Sequence, residues 1–305
     1  MRRKPEIAVC VAVAAVVFAS CGLRRGSGDA VKTFPAVSIP SVCSSPESRM
    51  EYALMHYWDG FEGVPADGIE KAMATYAAML DEAPYGLAER SLVRLFDRIC
   101  EAQAADTSAH YYALMTQMVS KYLYDPNSPL RNEELYLPFV SRMASSPLTP
   151  EEMIPAYEYE ASSCAICRIG TKAPDFVART MEGREFRMHS LTSDYVVMVF
   201  SNPGCDACQT VIDEISAIPG IGAMMESGAV TVMNVYIDGD LDKWREYASY
   251  YPSSWINACD RDGVIRDGRI YDVRAIPSVY LLDADKTVLL KDAPVQKVAA
   301  KILKP

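Results

Sequence analysis

Two cysteines separated by two residues, in Cys205-Asp206-Ala207-Cys208, are the clearest candidates for chemistry in this chain. They follow an apolar run at 195–200 and a breaker stretch, Ser201-Asn202-Pro203-Gly204, and they open a segment with helical periodicity. Thiols at this spacing on the first turn of a helix can close a disulfide and reopen it. The partial positive charge at a helix start favours the thiolate of the first cysteine, which is the form that attacks another disulfide. The motif therefore predicts redox chemistry.

A second pair, Cys164-Ala165-Ile166-Cys167, stands at the end of a predicted helix. Cysteines at positions i and i+3 lie within disulfide reach, so the pair is a possible structural or labile disulfide. It is also a possible relay that exchanges with Cys205 and Cys208. A zinc site built from all four thiolates is a third interpretation, although the 37 residues between the pairs exceed the usual ribbon spacing.

The first residues have the layout of a secretory signal. Arg2, Arg3 and Lys4 precede an apolar stretch at 7–19, which is shorter than the roughly 20 residues that span a bilayer. The string Phe18-Ala19-Ser20-Cys21-Gly22 resembles the lipobox of bacterial lipoproteins, except that Phe18 replaces the usual Leu. This resemblance implies a signal peptide at 1–20 and lipidation of Cys21 on the periplasmic side of a bacterial membrane. An ordinary cleaved signal and an uncleaved anchor are the alternatives.

Composition narrows the class of protein further. The formal net charge is −10, and removal of residues 1–20 takes away three positive charges and one negative charge to give −12. An acidic surface repels nucleic acid, so we expect no nucleic-acid partner. Outside the cytoplasm disulfides persist, and seven cysteines remain beyond Cys10 and Cys21. Because seven is odd, at least one thiol stays unpaired; Cys43 and Cys100 are either joined or free, and Cys259 is predicted to be buried.

Periodicity divides the mature sequence into a tether and two domains, as a length of 305 residues suggests. Residues 21–45 are rich in Gly, Ser and Pro and predict a flexible tether. Apolar residues at helical spacing then predict five or six helices between 46 and 163, and therefore an all-α domain. After about Gly170, predicted strands alternate with helices, which indicates a mixed sheet with helices on both faces in a domain spanning 164–305. The strands are predicted at 176–180, 185–188, 195–200, 229–237, near Trp255, 278–282 and 287–290, and the helices at 206–217, at 240–250 and from Pro294.

Three strings in the second domain occur in a recognisable order. They are Gly170-x-x-Ala173-Pro174-Asp175-Phe176, Cys205-x-x-Cys208, and Tyr271-x-Val273-x-x-Ile276-Pro277-Ser278-x-Tyr280-Leu281-Leu282. Together they resemble the membrane-tethered, extracytoplasmic thiol-disulfide oxidoreductases of the thioredoxin-like fold, called TlpA-like or redoxin-like. In the first domain, His56-Tyr57-Trp58-Asp59 and Tyr124-Asp125-Pro126-Asn127-Ser128-Pro129 resemble an uncharacterised helical domain that precedes thioredoxin-like domains in some Gram-negative lipoproteins.

The resemblance implies a role for each part of the predicted site. Cys205 is expected to attack a disulfide of an exported substrate protein, and Cys208 to resolve the mixed disulfide. The Ile276–Pro277 peptide bond is expected to be cis and to present backbone to the substrate. A membrane-spanning electron donor would re-reduce the pair, because an oxidising compartment offers no thiol pool. We expect no cofactor and no metal: His56, His110 and His189 lack ligand spacing.

The sequence departs from the family pattern around the cysteines. Gly204 and Val199 stand where thioredoxins carry Trp and a buried Asp, and Val211 where some tethered relatives carry Glu. Asp206 puts a negative charge beside Cys205, which disfavours the thiolate and predicts a more reducing site.

Two other functions remain open at the level of sequence. A non-catalytic periplasmic or surface binding protein would use the Cys205/Cys208 pair only as a structural disulfide, since a fold does not fix a function. A thiol peroxidase would need Pro and Thr or Ser where this chain has Met198 and Asn202, which disfavours that reading.

Overall fold

The computed structural model describes residues 32–303. The predicted signal peptide and Cys21 lie outside these residues, and so does the first part of the predicted tether. The described chain has an all-helical region followed by a region built on one sheet. None of the helices between 32 and 303 combines the length and the apolar character needed to cross a bilayer.

Six α-helices make up the first region, as the periodicity predicts. Their bounds are α1 Pro46–His56, α2 Ala66–Glu82, α3 Tyr85–Ala105, α4 Tyr111–Leu123, α5 Glu133–Ser145 and α6 Ile154–Cys164, with a 3₁₀ turn at Glu151–Met153 before α6. Helix α1 starts where Ser45 and Ser48 cap each other's backbone N–H groups and Pro46 follows the cap. The predicted apolar stripes face inward, and one cluster of buried side chains joins all six helices.

The second region contains seven strands and four further helices. The strands are β1 Val177–Thr180, β2 Glu185–Arg187, β3 Tyr195–Phe200, β4 Val230–Tyr236, β5 Ile256–Asp260, β6 Ser278–Asp283 and β7 Val288–Leu290. The helices are α7 Asp206–Ser216, α8 Ile221–Glu226, α9 Leu241–Glu246 and α10 Val295–Ile302, with 3₁₀ turns at Met188–Ser190 and Ala248–Tyr250. All predicted strands are present. Helix α8 was not predicted, and the predicted helix 240–250 is instead α9 followed by a 3₁₀ turn.

The strands form one mixed sheet in the order β2-β1-β5-β4-β3-β6-β7. Strands β3, β4 and β5 are parallel neighbours, whereas β6 runs antiparallel to β3. Every residue of β3 after Tyr195 is buried, as expected for a central strand covered on both faces.

The two faces of the sheet are covered differently. Buried side chains of α7, α8, α9 and α10 pack together on one face. On the other face the cover is mostly irregular: it comes from Ala173 and Phe176 before β1, from Met188, and from Ile265 and Tyr271 between β5 and β6. The predicted fold class, a mixed sheet with helices after an all-helical region, is confirmed, and the expectation of helices on both faces is refined to one helical face.

Candidate active site

The Cys205-x-x-Cys208 motif lies where the sequence predicts it, at the junction between β3 and α7. Cys205 is the N-cap residue of α7, and its sulfur accepts a hydrogen bond from the Cys208 backbone N–H at 3.1 Å. The two cysteines are joined in a disulfide with 5.2 Å between their Cα atoms. Cys205 is partly exposed, whereas Cys208 is 2% exposed. An attacking thiol must be reached by substrate and a resolving thiol need not be, so this asymmetry suits the roles that the resemblance implies.

The helix start also supplies the electrostatics that such a site needs. On reduction, a Cys205 thiolate would sit at the positive end of the α7 dipole, with the Cys208 N–H in place to donate to it. Both effects stabilise the thiolate relative to the thiol. The exposed carboxylate of Asp206 opposes them from the first turn of the same helix.

Sheet register brings the Ile276–Pro277 segment to the same edge as the disulfide. Phe200 at the end of β3 pairs with Ser278 at the start of β6. The loop that leaves β3 and carries Cys205 therefore emerges beside the loop that carries Pro277. The Ile276–Pro277 bond is cis, as the resemblance implies.

Gly204, where thioredoxins carry Trp, has a structural explanation that the sequence did not reveal. Its φ is +75°, a left-handed value that side chains disfavour. A Cβ at this position would lie 3.0 Å from the hydroxyl oxygen of Tyr247, which follows α9. The ring of Tyr247 therefore occupies space beside the active-site loop that a larger residue at 204 would need.

A second feature missed from the sequence is a polar group behind the active-site loop. Val199 is buried and pairs in register with Asn234 on β4, so both side chains lie on the face that α7 covers. Asn234 is fully buried, and its Oδ1 accepts a 2.5 Å hydrogen bond from the hydroxyl of Ser201. The buried polar side chain is thus Asn234 on β4, whereas thioredoxins carry a buried Asp at the position of Val199 on β3. The single Asn in the otherwise mostly apolar strand β4 is the sequence feature that could have indicated this buried polar group.

The second cysteine pair does not form the local disulfide that was one of its predicted states. Both Cys164 and Cys167 are free thiols. Cys164 ends α6 and packs in the helical core, whereas Cys167 has a left-handed φ of 51° and packs in the core of the sheet region. The Cys167 thiol donates to the carbonyl of Ile270 at 3.2 Å. Because the chain turns out of the helix between them, the two thiols serve different cores.

Burial also makes these thiols poor nucleophiles. It raises the pKa of Cys164 to about 12, and it raises the pKa of Cys167 to about 12 as well. The thiolate that a redox relay would need is therefore strongly disfavoured in the folded state. Across residues 32–303, no cluster of three or more His, Cys, Asp or Glu side chains has an arrangement suited to a metal, and the four thiols of the two pairs are not brought together.

The other cysteines and histidines considered in the sequence lie outside the candidate active site. Cys43 and Cys100 are both free and partly exposed, so they are not joined to each other. Cys259 is 2% exposed, which confirms the expectation that it is buried. His56 pairs with Asp59 at 2.7 Å, and the His189 ring contacts the carbonyl of Ala173 at 2.8 Å.

An ion-pair network fixes the segment before the cis proline to the helical region. The Arg274 guanidinium contacts the Glu133 carboxylate of α5, with Nε at 2.9 Å, and donates to the Tyr124 carbonyl at 2.8 Å. It also stacks 3.8 Å from the centre of the Tyr124 ring. Lys291 reaches the other Glu133 oxygen at 2.7 Å, and Asp272 lies 3.3 Å from Arg274. Burial lowers the pKa of Arg274, but Glu133 more than offsets this, so the guanidinium stays charged.

Comparison with known proteins places this chain in one family. The crystal structure of a thioredoxin-like protein from Bacteroides caccae matches 90% of this chain and 99% of its own, with 33% identity and a TM-score of 0.80. This coverage shows that the chain belongs to the thioredoxin-like proteins, with the helical region included in the match.

Other matches cover single regions. Residues 15–160 match the model of a domain of unknown function, DUF5106. The C-terminal domain of an uncharacterized protein from Bacteroides fragilis matches 45% of this chain and 99% of its own, at 36% identity and a TM-score of 0.44. A thiol:disulfide interchange protein from Bacteroides sp. matches 44% of this chain and 88% of its own, at 18% identity and a TM-score of 0.39. No curated protein matches the chain.

Proposed function

We propose that this protein is a lipid-anchored, extracytoplasmic thiol-disulfide oxidoreductase that reduces disulfides of exported proteins. The observation that carries the proposal is the partly exposed Cys205 at the N-cap of α7, joined to the buried Cys208. The cis Ile276–Pro277 bond at the same sheet edge supports it. A purely structural disulfide needs neither an accessible sulfur nor a helix start beneath it.

The proposed cycle moves two electrons and two protons to each substrate. The Cys205 thiolate attacks one sulfur of the substrate disulfide, forms a mixed disulfide and releases the other substrate sulfur as a thiolate that takes up a proton. Cys208 then loses its proton and attacks the Cys205 sulfur, which releases the second substrate thiol. The products are a substrate dithiol and the Cys205–Cys208 disulfide. A membrane-spanning dithiol donor returns two electrons by the reverse exchange.

The anchor is the second part of the proposal. The lipobox-like string supports a lipid on Cys21, and the residues that follow it would hold the folded regions away from the bilayer. The tether is shorter than the predicted range 21–45, because the Phe34 ring packs 5.2 Å from the rings of Tyr57 and Trp58 in the helical region. Mass measurement on the membrane fraction should find a lipidated Cys21 as the first residue. An unmodified Cys21 there would contradict the anchor and leave the redox proposal standing.

A redox titration tests the chemistry directly. We expect Cys205 and Cys208 to titrate together within the range of catalytic dithiols, above about −300 mV, because structural disulfides in secreted proteins lie below that value. Insulin reduction driven by a dithiol donor should occur and should disappear in Cys205→Ser. A potential far below that of catalytic dithiols, with no insulin reduction, would instead identify a binding protein with a structural disulfide.

A further inference from the structure

A cleft runs beside the candidate active site and has walls from both regions of the molecule. Its volume is about 550 Å³, within the usual range for ligand sites. One wall belongs to the sheet region and includes Ala207, between the two cysteines, and Pro277. The facing wall belongs to the helical region and consists of Asp81, the turn 126–129 between α4 and α5, and Arg131.

Contacts between the regions hold the two walls in a fixed relation. Lys297 of α10 bonds Asp81 of α2 at 2.5 Å, and Arg131 bonds Asp292 at 2.7 Å. Arg274, three residues before Pro277, is held by Glu133 and by Tyr124, which leads into the 126–129 turn. The same side chains that place the cis-proline loop thus place the opposite wall. The cleft is part of the fold rather than a gap between loosely linked domains.

The lining has a defined chemical character. Its apolar groups come largely from rigid residues, including Pro126, Pro129 and Pro277. Its cations are already used: Lys297 pairs with Asp81, and Arg131 pairs with Asp292. Glu214 of α7 is exposed and lines the cleft; among residues 32–303 it forms no salt bridge, and its carboxylate accepts a hydrogen bond from the Gln296 amide at 3.4 Å. The cleft therefore presents one uncompensated negative charge to a ligand.

Helix α7 extends this acidic character around the disulfide. Its other ionisable side chains are Asp206 and Asp213, both exposed, and it carries no Lys, Arg or His. With a formal net charge of −10 for the chain, an acidic partner would be repelled and a basic one attracted.

We propose that this cleft binds an extended, cysteine-bearing segment of a partner polypeptide with Lys or Arg near the cysteine, and that the helical region supplies half of that binding site. The inference rests on the proposed redox function of Cys205 and Cys208. It adds a role for the helical region, whose turn 126–129 faces the bound segment. Glu214 meets its basic side chain.

Three synthetic disulfides test the proposal on the full folded chain: a peptide with an internal disulfide flanked by Lys, the same peptide with Glu in place of Lys, and hydroxyethyl disulfide. The wild type should reduce the Lys peptide with a kcat/KM about threefold above that for the Glu peptide, the size expected of one partly exposed ion pair. Glu214→Gln should remove most of this preference. Equal rates with both peptides in the wild type would overturn the assignment of a basic partner.

A second variant, with a matched control, tests whether the helical wall contacts the bound segment. Asn127 is exposed at the tip of the turn, and Asn127→Trp should lower the ratio of kcat/KM for the peptides to that for hydroxyethyl disulfide by about tenfold, because a bulky ring obstructs an extended chain more than a small molecule. Thr107→Trp, in the exposed loop between α3 and α4, lies outside the cleft lining and should leave this ratio unchanged. An unchanged ratio in Asn127→Trp would overturn the helical wall. Failure of the wild type to reduce any of the three disulfides would instead reject the proposed function.

Discussion

Arg274 and Glu133 stand 141 residues apart in the sequence and form a buried ion pair across the boundary between the helical region and the sheet. Their side chains are 17% and 6% exposed. Arg274 lies in the segment that leads into the cis proline, so the helical region directly supports a loop of the candidate active site. The helical region is therefore part of the architecture of the candidate site.

Breaking this pair should be costly. Glu133→Gln leaves Arg274 with Asp272 as its remaining carboxylate partner and Lys291 with the Ile166 carbonyl, and we expect it to lower the free energy of unfolding by about 3 kcal/mol. Urea unfolding measures the change. The matched control is Arg90→Met, which removes an exposed pair with Glu51 and should cost less than about 1 kcal/mol. Equal losses of unfolding free energy in the two variants would show that the buried pair stabilises the fold no more than an exposed pair does.

Asp206 should tune the redox potential. Asp206→Asn removes a negative charge beside Cys205, which favours the thiolate and hence the reduced form, so the potential should rise by on the order of 10–20 mV. The shift is small because Asp206 is exposed and screened. Equilibration with glutathione measures it. Asp242→Asn, at another exposed carboxylate, is the control. An unchanged or lower potential in Asp206→Asn would contradict the expected role.

We expect any side chain at position 204 to destabilise the fold. Gly204→Ala meets both a left-handed φ and the Tyr247 hydroxyl, and it should destabilise the fold by about 2 kcal/mol. Gly183→Ala is the matched control, because Gly183 also has a positive φ of 84° but nothing lies within 4 Å of its added Cβ. That variant should cost about 1 kcal/mol, from the backbone conformation alone. Thermal unfolding of both variants checks the difference, and identical costs would remove the role assigned to Tyr247.

Alkylation should separate the cysteines by environment. After reduction of the folded protein, iodoacetamide at mildly alkaline pH should modify Cys205 first, because it is partly exposed at a helix start. Cys164 and Cys167 are 0% and 7% exposed and have raised pKa values, so they should react only on unfolding. Peptide mass mapping reads out each site. Rapid modification of Cys164 or Cys167 in the native state would revive the relay interpretation.

The same two thiols predict a loss of stability at alkaline pH. Their pKa values rise from 9.0 in the ordinary thiol to about 12 in the fold, so the neutral form is favoured by folding. This contribution is fully present below the pKa of the thiols in the unfolded chain, 9.0, and is lost as pH rises toward the folded value. Between about pH 8 and pH 10 the free energy of unfolding should therefore fall, by about 1–2 kcal/mol for each thiol. Urea unfolding at both pH values should show a shallower fall in Cys164→Ala than in the wild type, and an equal fall would contradict the assignment.

Local pattern was sufficient for most elements of the fold. Alternation and apolar runs predicted every strand, and spacing predicted five or six helices before the sheet, where six are present, because each pattern matches a period that the backbone itself imposes. Helix α8 escaped prediction because six residues after Pro219-Gly220 are too few to show a helical period. The disulfide that was one of the interpretations of Cys164 and Cys167 is not formed, because the left-handed turn at Cys167 sends the two thiols into separate cores.

The sequence by itself determined which groups could take part in chemistry: a Cys-x-x-Cys pair at a helix start after a buried strand, and an Ile-Pro segment before another strand. Residue type and spacing carry that information, because a helix N-terminus and a strand end are local structures. The tertiary structure alone decided what surrounds the pair. The packing of the whole chain alone brings together three pairs from distant segments. Tyr247 lies beside Gly204, Asn234 pairs in register with Val199, and Glu133 accepts a hydrogen bond from Arg274.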